Sequence, residues 1–463
     1  MTELKNVLIS SDPEKILNQT KLHSFETPFG YTDSEFIQLR SSLLSDIESI
    51  TKKKLQSKII MSGHQPNFLH PGILFKDILA SKIAKETGAT VLHLIVDTDQ
   101  VGMEFVLPVS DGTHAHLERY LFHKREHNVY KYVKTTEDDR KKLVEIREKI
   151  SSDNCFLPKD KKSEFLALMD TIIEKSRSTE FFYQLTEIFR NHFIAANAPE
   201  IIDIHLSDLT ETECFRVFVE KIRERHTEFK NIFNAKLAEY RQKHNISNKA
   251  QPIPDLKDNE MPFWILDKEG KRLHMYTDSD NKNIIPRAIT LTMFLRLFVS
   301  DLFIHGTGGG RYEAVSHETV KDFFKIQGAP WFVASLTMNL LPDKCFQIQF
   351  PTKREILDME RNFQFSPELF CEADNELLAQ KTELIRKLEL APKGQKREIH
   401  LAIMDLNQKI QNALPHIFSD IQKLKKQLPL FTHTKEVFSS RILPYLFYNT
   451  QEITNFSKNL QFS

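Results

Sequence analysis

Apolar and polar positions fall into blocks along this chain, and the sharpest block runs from Lys58 to Asp99. The apolar run Ile59-Ile60-Met61 stops at Ser62-Gly63, as a buried strand stops at a turn. His64-Gln65-Pro66-Asn67 and His70-Pro71-Gly72 follow, polar and ring-bearing. From Ile73 the spacing becomes helical, with Leu74, Ile78, Leu79, Ile83 and Ala84 on one face. Gly88 ends that helix as a left-handed cap. A second apolar run, Val91 to Val96, ends on Asp97-Thr98-Asp99. The pattern predicts a βαβ unit whose polar residues gather where its strands end, the edge at which open α/β sheets bind ligands.

The flanking segments carry their own periods. Residues 1–56 read as a loose start, a turn at Phe25–Gly30 and a helix with Phe36, Leu39, Leu43, Leu44 and Ile47 on one side. After Asp99 an alternating stretch around Asp111-Gly112 predicts a hairpin. From 136 to 245 the pattern is mostly helical and strongly charged, with a buried strand at Ile201–Leu209. Asp203, His205, Ser207 and Asp208 could face a substrate there, or Ser207-Asp208 cap the helix predicted over Glu211–Tyr240. Gln251–Glu260 reads as a loop, and Phe263–Leu266 with the returning Leu273–Tyr276 as a hairpin. Pro286-Arg287 opens a helix that leads to the strand Asp301–His305, and Trp331–Ser335 is a further strand. Between 367 and 430, apolar residues at spacings near 3.5 predict two antiparallel helices joined at Pro392-Lys393-Gly394, with one slip near Pro415.

Composition narrows the function classes. The 463 residues carry 63 basic and 63 acidic side chains, so no charge excess calls for nucleic acid or an anionic membrane. Four scattered cysteines (Cys155, Cys214, Cys345, Cys371) argue for a reducing compartment. No apolar run approaches ~18 residues and the N-terminus lacks a secretory pattern, so the expectation is soluble and cytoplasmic. Glycine is scarce, 13 in all, yet four stand at 306, 308, 309 and 310. Such a loop brings backbone N–H groups up to a phosphate or an adenine. Neither the dinucleotide glycine fingerprint nor the phosphate loop ending in Lys-Ser/Thr is present, which disfavours a plain dehydrogenase or P-loop enzyme. His114, His116, His123 and His127 lack an accompanying acidic pattern, so no metal is predicted.

The segment Gly63–Ala84 (GHQPNFLHPGILFKDILASKIA) followed by Leu92–Asp99 resembles the opening of the cysteine-adding enzyme family of bacillithiol biosynthesis. Gly306, Gly308 and Tyr312 match a glycine turn and tyrosine further along, with Gly309 or Gly310 in place of the family's acidic residue. Arg287 matches an arginine in the preceding helix. Ser335 and Thr337 stand where the family has an Arg-His-Ser-like segment, and Arg441 and Tyr445 lie in its closing segment. The resemblance implies an α/β fold with a Rossmann-like parallel sheet core, akin to that of class I aminoacyl-tRNA synthetases. The core would span 57–135 and 284–345, after a helical arm (1–56). A mostly helical insertion (136–283), a C-terminal antiparallel coiled-coil hairpin (346–432) and a returning segment (433–463) complete it.

The functional expectation is a ligase-like enzyme joining an amino acid, cysteine by resemblance, to an amino-sugar conjugate. ATP or ADP would bind at Gly63, His64, Gln65, Asn67, His70, Gly72, His305, Gly306, Gly308, Gly309, Gly310, Arg311, Tyr312 and Ser335. His64, Asp97, Asp99 and Arg287 are the catalytic candidates, the carboxylates holding an amine nucleophile and the cations orienting oxyanions. The resemblance also implies a homodimer formed through the hairpin. Two alternatives remain: a non-catalytic metabolite-binding protein that self-associates, and a metal-dependent hydrolase using the histidines with Asp97 and Asp99.

Overall fold

Five of the apolar runs become neighbouring strands of one sheet. The computed structural model describes residues 2–110, 115–123, 128–157, 159–280, 282–340, 351–371, 376–392, 394–438 and 440–459. The predicted Asp111-Gly112 turn, His114, His127, Cys345 and Lys393 lie outside them. The strands are β1 (Thr2–Ile9), β2 (Ile59–His64), β3 (Thr90–Ile95), β4 (Met103–Ser110), β5 (Ala115–His123), β6 (Ile202–His205), β7 (Glu260–Leu266), β8 (Arg272–Tyr276), β9 (Ile284–Pro286), β10 (Leu302–His305) and β11 (Trp331–Leu340). The central sheet has the order β1-β11-β10-β2-β3-β6, while β4-β5 and β8-β7-β9 form two smaller sheets. β11, β10, β2, β3 and β6 are parallel, and β1 lies antiparallel on β11.

The chain moves from β2 outward through β3 to β6, then returns to β10 on the other flank of β2. The strand order therefore reverses between β2 and β10, the switch point at which α/β sheets open a crevice. Asp301, just ahead of β10, pins this pairing: its carboxylate accepts the Ile59 N–H at 2.9 Å, with Lys58 Nζ 3.3 Å away. The helix Pro71–Thr87 follows β2 and is buried along most of its length. Its backbone approaches β11 so closely that a Cβ on Gly72 would sit 2.3 Å from the Leu336 carbonyl oxygen. Gly88 closes the helix at φ 66°, the left-handed cap read from the sequence.

One polar cluster lies inside these layers. Asp77, fully buried, takes the Ser62 hydroxyl, His93 Nδ1 at 2.8 Å and Arg190 Nη2 at 3.0 Å. Arg190 also reaches Asp203 at 2.7 Å, so the cluster ties β2, β3 and β6 to the helices Pro71–Thr87 and Tyr183–Asn197. Burial by itself would raise the Asp77 carboxyl, but His93 and Arg190 outweigh it and hold the group far below the usual carboxylate range. Elsewhere the abundant phenylalanines pack edge-on, tilted and stacked. Phe218 meets Phe294, Phe298 and Phe324 at centroid separations of 5.5, 6.1 and 6.0 Å.

Several elements differ from their expectation. The loose start is β1, an edge strand whose partner arrives from the far end of the core. The buried strand expected over 201–209 is β6 of the central sheet but ends at His205, and Leu206–Leu209 is a short helix. Glu211–Tyr240 is two helices, Glu213–Glu224 and His226–Lys243, and Thr212 caps the first of them rather than Ser207 or Asp208. The glycine run at 306–310 is no loop: it is the cap and first turn of the helix Thr307–Phe324. β11 runs unbroken to Leu340.

The chain forms two units, Met1–Val109 with Leu117–Leu341 and Ser439–Ser463, and Ser110–His116 with Pro342–Phe438. The second contains the helices Lys353–Phe365, Glu376–Leu390, Lys396–Asn412 and Pro415–Phe438. Ile403, Leu406, Ile410 and Ile421 of the predicted seam are buried there. The slip near Pro415 is a helix break, with proline at the first position of the next helix, where its missing N–H is harmless. Among the described residues no helix is long and apolar enough to cross a membrane.

Removing Asp77 leaves Arg190 with Asp203 alone and takes the carboxylate from His93 and Ser62. Asp77→Ala is expected to lower unfolding free energy by about 3–5 kcal/mol in urea titrations. A change under about 1 kcal/mol would show that the cluster contributes little.

Candidate functional site

The two turns flanking the switch point share one cavity of about 500 Å³. On one side β2 ends at Gly63-His64. Gly63 is bare because a Cβ would fall 2.7 Å from the Leu94 carbonyl oxygen of β3. His64 Nδ1 lies 2.8 Å from the Gln65 carbonyl oxygen, and burial, with Lys76 adding, lowers its pKa to about 4. Gln65 Nε2 donates to Asp99 at 2.9 Å, and the other Asp99 oxygen accepts Arg272 Nη1 at 2.9 Å. Arg272 comes from β8, so the smaller hairpin sheet contributes a wall.

His70 is the cap of the Pro71 helix: its Nδ1 accepts the Gly72 N–H at 2.9 Å. Burial, reinforced by Arg441, lowers its pKa to about 3, so the ring is neutral at physiological pH. That hydrogen bond places the ring proton on Nε2. Two turns further into the same helix, Lys76 points its Nζ at the Gly63 carbonyl oxygen, 2.7 Å away. Burial lowers this ammonium to about 8.

On the other side β10 ends at His305, whose Nε2 lies 3.0 Å from Glu313 Oε2. Glu313 in turn meets Arg296 at 2.6 Å, and both are buried. Burial pushes the Glu313 carboxyl up, but His305 and Arg296 outweigh it and hold it at about 2. The glycines that follow have separate reasons. A Cβ on Gly309 would strike His305 Nδ1 at 2.7 Å, and one on Gly310 would strike Val333 at 2.3 Å. Around Gly308 there is open space, and Gly306 faces the Lys76 side chain. The Thr307 helix has no side-chain cap, and its first helical hydrogen bond is Gly310 N to Gly306 O. The preceding N–H groups of its first turn are left without helical acceptors.

Of the residues singled out from the sequence, Gly63, His64, Gln65, His70, Gly72, Asp99, His305, Gly306, Gly308, Gly309, Tyr312 and Ser335 line this cavity. Five do not, each for a local reason. Asn67 folds its side chain onto the Phe68 N–H at 2.8 Å. Asp97 is buried and accepts the Ser207 N–H at 3.0 Å, joining the ends of β3 and β6; burial raises its pKa. Arg287 pairs with Glu260 at 2.6 Å and lies over the Trp264 ring. Gly310 packs on Val333, and Arg311 is exposed. Of the histidines weighed for a metal, His116 is exposed and His123 lies 3.5 Å from Asp139. Among the described residues no three His, Cys, Asp or Glu gather where an ion could be held.

The sequence reading missed Lys76, Thr98, Arg272, Thr292 and Arg441 as wall residues. Two left a trace: Lys76, a lone cation among Leu74, Phe75, Ile78 and Leu79 in a helix apolar enough to be buried, and Arg441, a polar residue of the segment expected to return to the core. Arg441 Nη2 donates to Ser335 Oγ at 2.6 Å. The charged residues of the wall are thus Lys76, Arg272, Arg441 and Asp99, three cations against one carboxylate. No protein-family model matches the chain, and no curated protein matches it.

The buried His70 makes the fold acid-sensitive. Its folded pKa lies below the ordinary 6.5, so as pH falls through 6.5 the unfolded chain takes a proton that the native ring refuses. Stability is therefore lost on the way down towards pH 3. His70→Asn keeps an acceptor for the Gly72 N–H but does not titrate. The drop in melting temperature between about pH 7 and about pH 5 is expected to be smaller in this variant than in the native chain. An equal drop would remove His70 from the account.

Proposed function

We propose that this chain is a cytoplasmic enzyme that joins an amine to an activated or phosphorylated small molecule, ligase-like in reaction class. The observation that supports it is the meeting of the β2 and β10 turns in one cavity at the sheet's switch point. The resemblance to the cysteine-adding enzymes then suggests cysteine or another amino acid, activated at its carboxyl, as the acyl donor, an amino-sugar conjugate as the amine, and ATP or ADP as the nucleotide.

The walls divide the labour in this reading. Asp99, held at the rim by Gln65 and Arg272, receives the ammonium of the incoming amino acid. Lys76, Arg441 and the uncapped Thr307 helix orient oxyanions of the activated donor. His305 Nε2 lies 3.0 Å from Glu313 Oε2, and its Nδ1 lies on the Gly309 side. A carboxylate beside an imidazole supports it as a base, so His305 takes the proton released as the amine attacks the activated carboxyl carbon, the C–N bond forms and the activating phosphate leaves. His64 and His70 are neutral and act through hydrogen bonds.

A second reading keeps the pocket without turnover and assigns the protein to metabolite binding, self-associating through a coiled-coil hairpin in the C-terminal unit. The buried seam residues Ile403, Leu406 and Ile410 favour keeping it in view.

The test is to incubate the purified chain with a panel of amino acids, amino-sugar conjugates and nucleotides and follow products by mass spectrometry. A condensed product is expected, with its rate reduced about a hundredfold or more in His305→Ala. No product from any pair, together with no thermal shift by ATP or ADP, would end the enzyme reading.

A further inference from the structure

Lys76 and Asp77 are neighbours with opposite fortunes. Asp77 is ringed by His93, Arg190 and Ser62. Lys76 is equally hidden, 3 % exposed, yet its hydrogen bond runs to a neutral carbonyl, and no carboxylate pairs with it among the described residues. A buried cation without a counter-charge is costly, and its amine remains mostly protonated at neutral pH. A second group in the same cavity is also left over. His70 is 5 % exposed, with its Nδ1 occupied by Gly72 N–H and its Nε2 without a partner among the described residues. One cavity thus holds a buried ammonium without a counter-charge and a buried ring N–H without an acceptor, and its walls carry a surplus of positive charge.

We propose that the cavity binds a ligand bearing a dianionic phosphoryl group, seated between Lys76 Nζ and the first-turn N–H groups of Thr307, Gly308 and Gly309. The inference rests on the cavity being a ligand site and goes further by naming the ligand's chemistry. A Cβ on Gly306 would lie 3.9 Å from Lys76 Nζ, which places the lysine beside the uncapped helix end. Three converging N–H groups and an ammonium outnumber the two oxygens of a carboxylate and suit the three of a phosphoryl group. Gly308 leaves the volume free, with nothing within 4 Å of its Cβ position. His70 Nε2 and Arg441 stand together, since both His70 Nδ1 and Arg441 Nη2 come within 3.3 Å of the Gly72 Cβ position. They receive a further acceptor of the same ligand.

The test is calorimetric titration of the full chain with inorganic phosphate, ADP and malate, in the native protein and in Lys76→Met and Gly308→Asp. Gly308→Asp is the sharper variant. A carboxylate in the first turn favours the helix and has room, so folding is kept while a dianion is repelled. Saturable one-site binding of phosphate and ADP is expected, weakened about tenfold or more in each variant, with malate weaker than phosphate. Absence of phosphate and ADP binding by the native chain would overturn the proposal. So would unchanged affinity in Gly308→Asp at native melting temperature, or malate binding tighter than phosphate. Phosphate binding as expected without any condensed product sinks the ligase reading and leaves the subsite standing. Product formation undiminished in both variants does the reverse.

Discussion

A single hydrogen bond across 242 positions of sequence, from Ile59 N–H to the Asp301 carboxylate, marks where the two halves of the core are joined. Everything at the site descends from that adjacency. With β10 beside β2 in parallel, both strands release their turns at the same edge, and each turn feeds a helix whose N-terminus faces the gap. Antiparallel pairing of the same strands would have sent His64 and His305 to opposite edges. The charge balance of the cavity follows from this geometry: two helix starts bring partial positive charge, to which Lys76, Arg272 and Arg441 add.

The interior treats its ionised groups in two ways. The Asp77 cluster and the Arg296–Glu313–His305 chain are closed: Asp77 has Arg190 and His93 beside it at 3.0 and 2.8 Å, and Glu313 has Arg296 and His305 at 2.6 and 3.0 Å. They hold the two cavity-facing helices in place, one through Asp77 next to Lys76, the other through Glu313 one turn below Gly309. The cavity itself is open electrically. Closed networks around an open one are what a rigid receptor for a charged ligand requires.

The parts legible in the sequence were those written in local period. The βαβ unit and its Gly88 cap depend on neighbours a few residues apart. What escaped depends on long-range pairing. β1 is a strand only because β11 offers it an edge. Arg272 reaches the cavity from a distant segment with nothing local to announce it. Asp97 and Arg287 show the converse: their residue types fit the chemistry, but Ser207 and Glu260 claim them for structure. The glycines at 309 and 310 were read as making room for a ligand, whereas His305 and Val333 occupy that room.

Gly72 has a mechanical meaning as well. With the Leu336 carbonyl lying where a methyl group would go, the first turn of the Pro71 helix and β11 are in van der Waals register and can move only together. Gly310 against Val333 locks the second helix to the same strand. One strand thus serves as a common backplate for both walls, and a guest arriving between them meets a jaw already set at its working gap. Little ordering entropy is left to be lost on arrival.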